Sequence, residues 1–132
     1  MAEKITDTAR IGAMGEAAAE RYLNQKGFHT LQRNYRIRGG EIDIIAANEE
    51  YIVFAEVKTR NTRALERPAF WVDSRKQRRI LRTAMQYMVQ HDIQLQPRCD
   101  VIEVEYDAVT KMIVRIEHIE NAFVETDNNK PY

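Results

Sequence analysis

The chain predicts an α/β domain built on one mixed sheet flanked by helices, in the order αβββαββ, and three observations carry that class. Helical and strand periodicities alternate along its 132 residues. With 44% hydrophobic and 30% charged residues, the composition is that of a globular chain able to bury a core. No repeat, linker or low-complexity tract divides it, so residues 1–125 read as one domain, and the polar tail 126–132 as frayed.

The elements follow in order. Residues 7–26 favour a helix: Asp7 or Thr8 can cap it, Ile11, Ala18 and Tyr22 make an apolar stripe, and Gly27 stops it. Phe28 to Arg38 reads as a strand ended by Gly39-Gly40. Two further strands then form a hairpin about the turn Ala47-Asn48-Glu49-Glu50. Thr59 to Val72 shows no periodicity and reads as a long loop, a length often tied to function. A second helix spans Ser74 to Gln90, with Ile80, Leu81, Ala84, Tyr87 and Met88 at helical spacing and Ser74 with Gln77 placed for a capping box. Asp100 to Tyr106 and Met112 to Ile119 read as strands around a turn at Asp107.

The hairpin carries the chemistry. Side chains alternate across a strand, so Glu41, Asp43 and Ile45 share one face while Ile42, Ile44 and Ala46 take the other. In the second strand Ile52, Phe54, Glu56 and Lys58 share a face opposite Val53, Ala55 and Val57. Folding the hairpin brings Asp43 and Glu56 together, with Lys58 one pleat beyond. Burying like charges side by side is costly, and a divalent cation is a common way to offset it. The bland reading is a solvated salt-bridge cluster. It is disfavoured because Glu56 and Lys58 interrupt an otherwise apolar strand, where unpaired charge is expensive.

The net charge of zero hides a segregation. From Lys58 to Arg82 nine basic residues face only Glu66 and Asp73, a local charge of +7. From Cys99 to Asn129 eight acids face Lys111 and Arg115. Arg75, Lys76, Arg78 and Arg79 fall in the first turns of the second helix, where the macrodipole disfavours cations. Phosphates bound there would supply the reason, and Arg60, Arg63 and Arg67 would widen the track. Phe70 and Trp71 are open to two readings, stacking on bases or burial beneath the loop. One cysteine, Cys99, allows no internal disulfide and reads as buried filler; His29, His91 and His118 read as structural. No apolar run approaches the ~20 residues of a membrane helix, and the start lacks the layout of a secretory signal, so the expected compartment is the cytoplasm, away from membranes.

Asp43, then thirteen residues later Glu56-Val57-Lys58 within an apolar strand, resembles the core of the PD-(D/E)XK nuclease superfamily, with Ile42 where the name would put proline. The joined string Gly-Glu-Ile-Asp-Ile-Ile and Val-Phe-Ala-Glu-Val-Lys-Thr-Arg resembles the YraN-like family of bacterial proteins, itself similar to archaeal Holliday-junction resolvases. The likeness extends to Gly15-Glu16 and Tyr22-Leu23, Arg33 to Arg36, Lys76 with Arg79-Ile80, and Ile116 to Phe123. It departs at Cys99, an aromatic slot in the family's pattern, and before Pro68, where a glycine is missing. The resemblance implies a restriction-endonuclease-like, Holliday-junction-resolvase-like fold. It also implies that Asp43, Glu56 and the Val57 carbonyl hold Mg²⁺ or Mn²⁺, that Lys58 orients or polarises the attacking water, and that Glu16 completes the outer shell. By the residues alone, Glu16 could equally be an exposed acid near Arg21, and Glu41 could serve the site, cap the strand or contact Arg36.

The expected function is therefore a metal-dependent endonuclease acting on DNA, including branched or damaged DNA, with Arg60, Arg63, Arg75, Lys76 and Arg79 binding the nucleic acid. The resolvase likeness extends this to a homodimer. A non-catalytic nucleic-acid-binding or adaptor protein on the same fold is the alternative. A glycosidase using Asp43 and Glu56 as its acid pair is the third, and 8% aromatic residues offer little to line its groove.

Overall fold

A computed structural model describes residues 7–62 and 73–123. Arg63, Arg67, Pro68, Phe70, Trp71 and the tail 126–132 lie outside the described residues. The elements are α1 (Asp7–Gln25), β1 (His29–Ile37), β2 (Gly40–Ala47), β3 (Tyr51–Asn61), α2 (Ser74–Gln90), β4 (Gln96–Tyr106) and β5 (Ile113–Ile119). They form the expected αβββαββ architecture, an α/β fold on one mixed sheet, consistent with the restriction-endonuclease-like class. The sheet runs β1-β2-β3-β4-β5, antiparallel throughout except for β3 and β4, which are parallel. A parallel pair cannot be joined by a tight turn, so the chain crosses over through α2.

The sheet is buried on both sides, and β3 shows it. Ile52, Val53, Phe54 and Ala55 are all fully buried, the even pair beneath α2 and the odd pair beneath α1. The layer under α2 joins Tyr35, Ile45, Phe54 and Val101 to Ile80, Ala84 and Tyr87. The layer under α1 joins Ile44, Ala46, Val53, Ile102 and Val104 to Ala18, Ala19 and Leu23. Each fully buried Val, Leu, Ile or Phe side chain among them contributes roughly 1.5–3 kcal/mol. No helix among the described residues is long and apolar enough to cross a membrane.

Two glycines let helices approach the strands that carry the site. A Cβ on Gly15 of α1 would stand 1.9 Å from the Thr59 hydroxyl on β3, and one on Gly40 of β2 would stand 1.9 Å from the Thr83 hydroxyl on α2. Thr83 is itself fixed, donating to the Arg79 carbonyl at 2.7 Å. The β2–β3 turn forms as expected: the Asn48 side chain accepts from the N–H groups of Glu50 and Tyr51 at 2.9 and 2.7 Å. Asp107 does the same for Val109 at 2.7 Å.

The structure corrects four sequence expectations. β3 continues through Asn61, so Thr59, Arg60 and Asn61 are strand, held in the ladder by pairing with Val104, Glu105 and Tyr106. β4 begins at Gln96 rather than Asp100, because its first residues pair with Tyr51 and Ile52 despite Pro97. The N-cap of α2 is Asp73, not Ser74: its carboxylate accepts from the Lys76 N–H at 2.9 Å. Ile42 packs in the layer under α2, whereas Ile44 and Ala46 pack under α1, so the alternation breaks at Asp43.

Candidate active site

That break has a cause in the hydrogen bonding. The β2–β3 ladder pairs Ala47 with Ile52 through to Ile44 with Ala55. One step further would set Asp43 opposite Glu56. There the Asp43 side chain takes over, its Oδ2 accepting from the Val57 N–H at 2.8 Å. β2 stays paired with β1 through Gly40 while its Asp43 carboxylate binds β3. Asp43 and Glu56 come together on neighbouring strands.

The electrostatics reflect that crowding. Burial first, then the Glu56 charge, with smaller effects of Glu16 and Glu41, push the Asp43 carboxyl up to about 7, against the lowering effect of its bond from Val57. Three other carboxylates thus act on Asp43, Glu56 most strongly. Glu56 is 8% exposed, and its Oε1 lies 2.6 Å from the Lys76 ammonium on α2. Burial works to lower the Lys76 ammonium, but the contact with Glu56 outweighs it and holds Lys76 above the ordinary lysine value. Lys58 lies half-buried one pleat beyond Glu56, in register with Glu103 of β4.

The remaining expected residues are placed as follows. Glu16 pairs with Arg33 of β1 at 3.4 Å rather than with Arg21. Glu41 is exposed and pairs with Arg36 at 3.5 Å. Arg75, Arg78 and Arg79 lie along α2, all three exposed. Arg60 is not on a loop; it stands on β3 with its guanidinium 3.9 Å from Glu103 and 4.0 Å from Glu105. Beside the acids lies a groove of about 620 Å³ lined by Arg36, Gly40, Glu41, Lys76 and Arg79. Cys99 is buried, and burial pushes its thiol up to about 12, in keeping with inert filler.

Glu103 was missed by sequence reasoning. It is 5% exposed in a run of Val-Ile-Glu-Val, an acid interrupting an apolar strand. The same signal singled out Glu56. The Lys76–Glu56 pair was also missed, since a contact between a strand and the following helix leaves no periodic trace.

A divalent ion fits this donor set within limits. Among the described residues no three of His, Cys, Asp and Glu stand close enough to hold an ion by themselves. Two hard carboxylates plus a carbonyl suit Mg²⁺ or Mn²⁺, which commonly complete their shell with water and substrate phosphate. The pH behaviour of Asp43 offers a check on the metal-free protein. Its native carboxyl holds a proton more tightly than the unfolded chain does, so its contribution to stability is whole below pH ~4 and lost as pH rises through about 7. Asp43→Asn keeps an acceptor for Val57 and removes that loss. It should be more stable than wild type at pH 8 by about 2–4 kcal/mol and equal to it near pH 4, measured by thermal melts. Parallel pH curves for the two proteins would show that burial and the neighbouring acids do not raise the Asp43 carboxyl.

The profile of the uncharacterised protein family UPF0102 matches residues 15–104. Among curated proteins, a UPF0102 protein of Alkaliphilus oremlandii is 44% identical over 117 residues, covering 86% of this chain and 97% of its own. A UPF0102 protein of Caldanaerobacter subterraneus is 40% identical over 114 residues, covering 86% and 93%. One of Clostridioides difficile is 41% identical over 113 residues, covering 85% and 95%.

Proposed function

The chain belongs to the uncharacterised protein family UPF0102, and from that premise we propose that it is a metal-dependent endonuclease hydrolysing phosphodiester bonds in DNA. The observation that carries this reading is the convergence of Asp43 and Glu56 on adjoining strands, where burial and then the Glu56 charge push Asp43 up to about 7, bordered by a basic groove. Asp43, Glu56 and the Val57 carbonyl would hold Mg²⁺ or Mn²⁺, which when bound supplies Lewis acidity at the scissile phosphate. Lys58 orients the attacking water and stabilises charge that develops as the phosphate is attacked. Arg36, Arg75 and Arg79 seat the DNA backbone along the groove and the start of α2. A glycosidase is less well supported, since among the described residues the groove is lined by Arg36, Lys76, Arg79 and Glu41 and by no sugar-stacking ring.

The Lys76 ammonium on Glu56 gives the second reading its support: a binding or adaptor protein could keep the carboxylates neutralised without an ion. One experiment separates them. Duplex, single-stranded, flap and four-way-junction DNA are incubated with Mg²⁺ or Mn²⁺ beside a Glu56→Ala control, and binding is followed against salt. The enzyme reading expects cleavage that vanishes in the control. Both expect Arg75→Ala with Arg79→Ala to flatten the slope of log affinity against log salt by roughly 0.9 for each phosphate no longer neutralised. Binding with no cleavage of any substrate leaves the adaptor, and an unchanged slope makes the basic face merely solvated.

A further inference from the structure

Lys76 faces two ways. Its backbone N–H is fixed by the Asp73 cap at 2.9 Å, which holds it in the first turn of α2. Helical side chains lean toward the N-terminus, so its stem is carried to the central strand β3, where the ammonium meets Glu56 Oε1 at 2.6 Å. The same side chain is 37% exposed and lines the groove shared with Arg36 and Arg79. It touches the carboxylate that would ligate the metal, and it borders the surface on which phosphate would lie.

We propose that Lys76 is an exchangeable counter-ion of Glu56, yielding that carboxylate to the divalent cation as it turns to a backbone phosphate in the groove. The inference rests on the endonuclease reading and adds a coupling to it. An ammonium on Glu56 competes with any ion for the same oxygen, so metal binding is weak while the groove is empty. A phosphate in the groove offers Lys76 a second anion and removes the competitor. Metal and nucleic acid then bind with positive cooperativity, and linkage requires each to strengthen the other by the same factor. The site would be loaded chiefly when substrate is present.

The test measures Mn²⁺ affinity by calorimetry or by the resonance of free Mn²⁺, with and without a phosphorothioate duplex that resists cleavage. Lys76→Gln removes the competing charge while keeping a polar, half-exposed side chain. It should bind Mn²⁺ roughly tenfold more tightly than wild type without DNA, and the gain on adding duplex should shrink. Lys76→Arg keeps the charge and should remain near wild type. Arg78→Gln removes a charge from the same helix turn outside the groove and away from Glu56. It should change Mn²⁺ affinity far less, which separates direct competition from the general field. Thermal melts confirm that each variant is folded. The proposal is overturned if Lys76→Gln binds Mn²⁺ no more tightly than wild type, or if Arg78→Gln matches its gain. If wild type and Lys76→Gln both fail to bind Mn²⁺, the endonuclease reading falls and the proposal with it.

Discussion

Replacing Lys58 with alanine is expected to leave Mn²⁺ and DNA binding largely intact while reducing cleavage by at least two orders of magnitude. Lys58 shares β3 with Glu56, one pleat away, and is half-buried beside Glu103 of the neighbouring strand. A positive charge held there gains most when negative charge appears in the transition state. Removing one preorganised donor of that kind costs on the order of 3 kcal/mol of barrier. It would cost little ground-state binding, because in the proposed complex Arg75 and Arg79 would still hold the backbone. Lys58→Arg keeps the charge on a longer, planar group that does not reproduce the position of an ammonium, so most activity should disappear there too. Single-turnover cleavage of a labelled duplex or junction gives the comparison. In an adaptor Lys58 would be one more phosphate contact: Lys58→Ala would weaken affinity by about 1 kcal/mol, Lys58→Arg would bind normally, and there would be no cleavage to lose. That pattern would sink the catalytic role.

What was legible in the sequence follows from the range over which each interaction acts. Periodicity is local, so α2 from Ser74 to Gln90 and the burial of Ile80, Ala84 and Tyr87 could be read directly. Turn chemistry is local as well, and Asn48 and Asp107 bind the next few N–H groups as their side chains dictate. The acids could be singled out because Glu56 interrupts a strand that is apolar on both sides. What escaped depends on partners distant in sequence. Ile42 changes layer because Asp43 is drawn to a backbone group on the next strand. Arg60 stays in the sheet because β4 places Glu103 and Glu105 beside it. Lys76 looked like one cation among four on a helix, and only the crossover from β3 through α2 sets it against Glu56.

The same distinction applies to Asp100, where the largest stability effect is expected. Asp100 is fully buried on β4, facing the α1 side of the sheet. Its Oδ2 accepts from Arg98 Nη2 at 2.8 Å and from His118 Nε2 at 2.6 Å, and its Oδ1 accepts from Arg98 Nε at 3.0 Å and the Asn121 N–H at 2.8 Å. With the proton on His118 Nε2, Nδ1 is left to accept from the Tyr22 hydroxyl of α1 at 3.1 Å. One carboxylate therefore ties together β4, β5, the chain beyond β5 and the helix that carries Glu16. Burial alone would raise the Asp100 carboxyl, but bonds from His118, Arg98 and Asn121 outweigh it and hold it below the usual range. Its contribution to stability is therefore present at neutral pH and lost as pH falls below ~4. Asp100→Ala would leave the 12%-exposed Arg98 side chain and the 3%-exposed His118 side chain without their central partner. Breaking a buried charge network in this way costs about 3–5 kcal/mol, a large part of a domain's total stability. The melting temperature at pH 7 should fall on the order of 10–20 °C. Tyr22→Phe removes only the outermost bond and should cost about 1 kcal/mol. Asp100→Asn keeps the shape without the charge, so it should fall between these and lack the decline of wild type below pH ~4. A melt of Asp100→Ala within about 1 kcal/mol of wild type would mean that the sheet and α1 are held together by apolar packing alone.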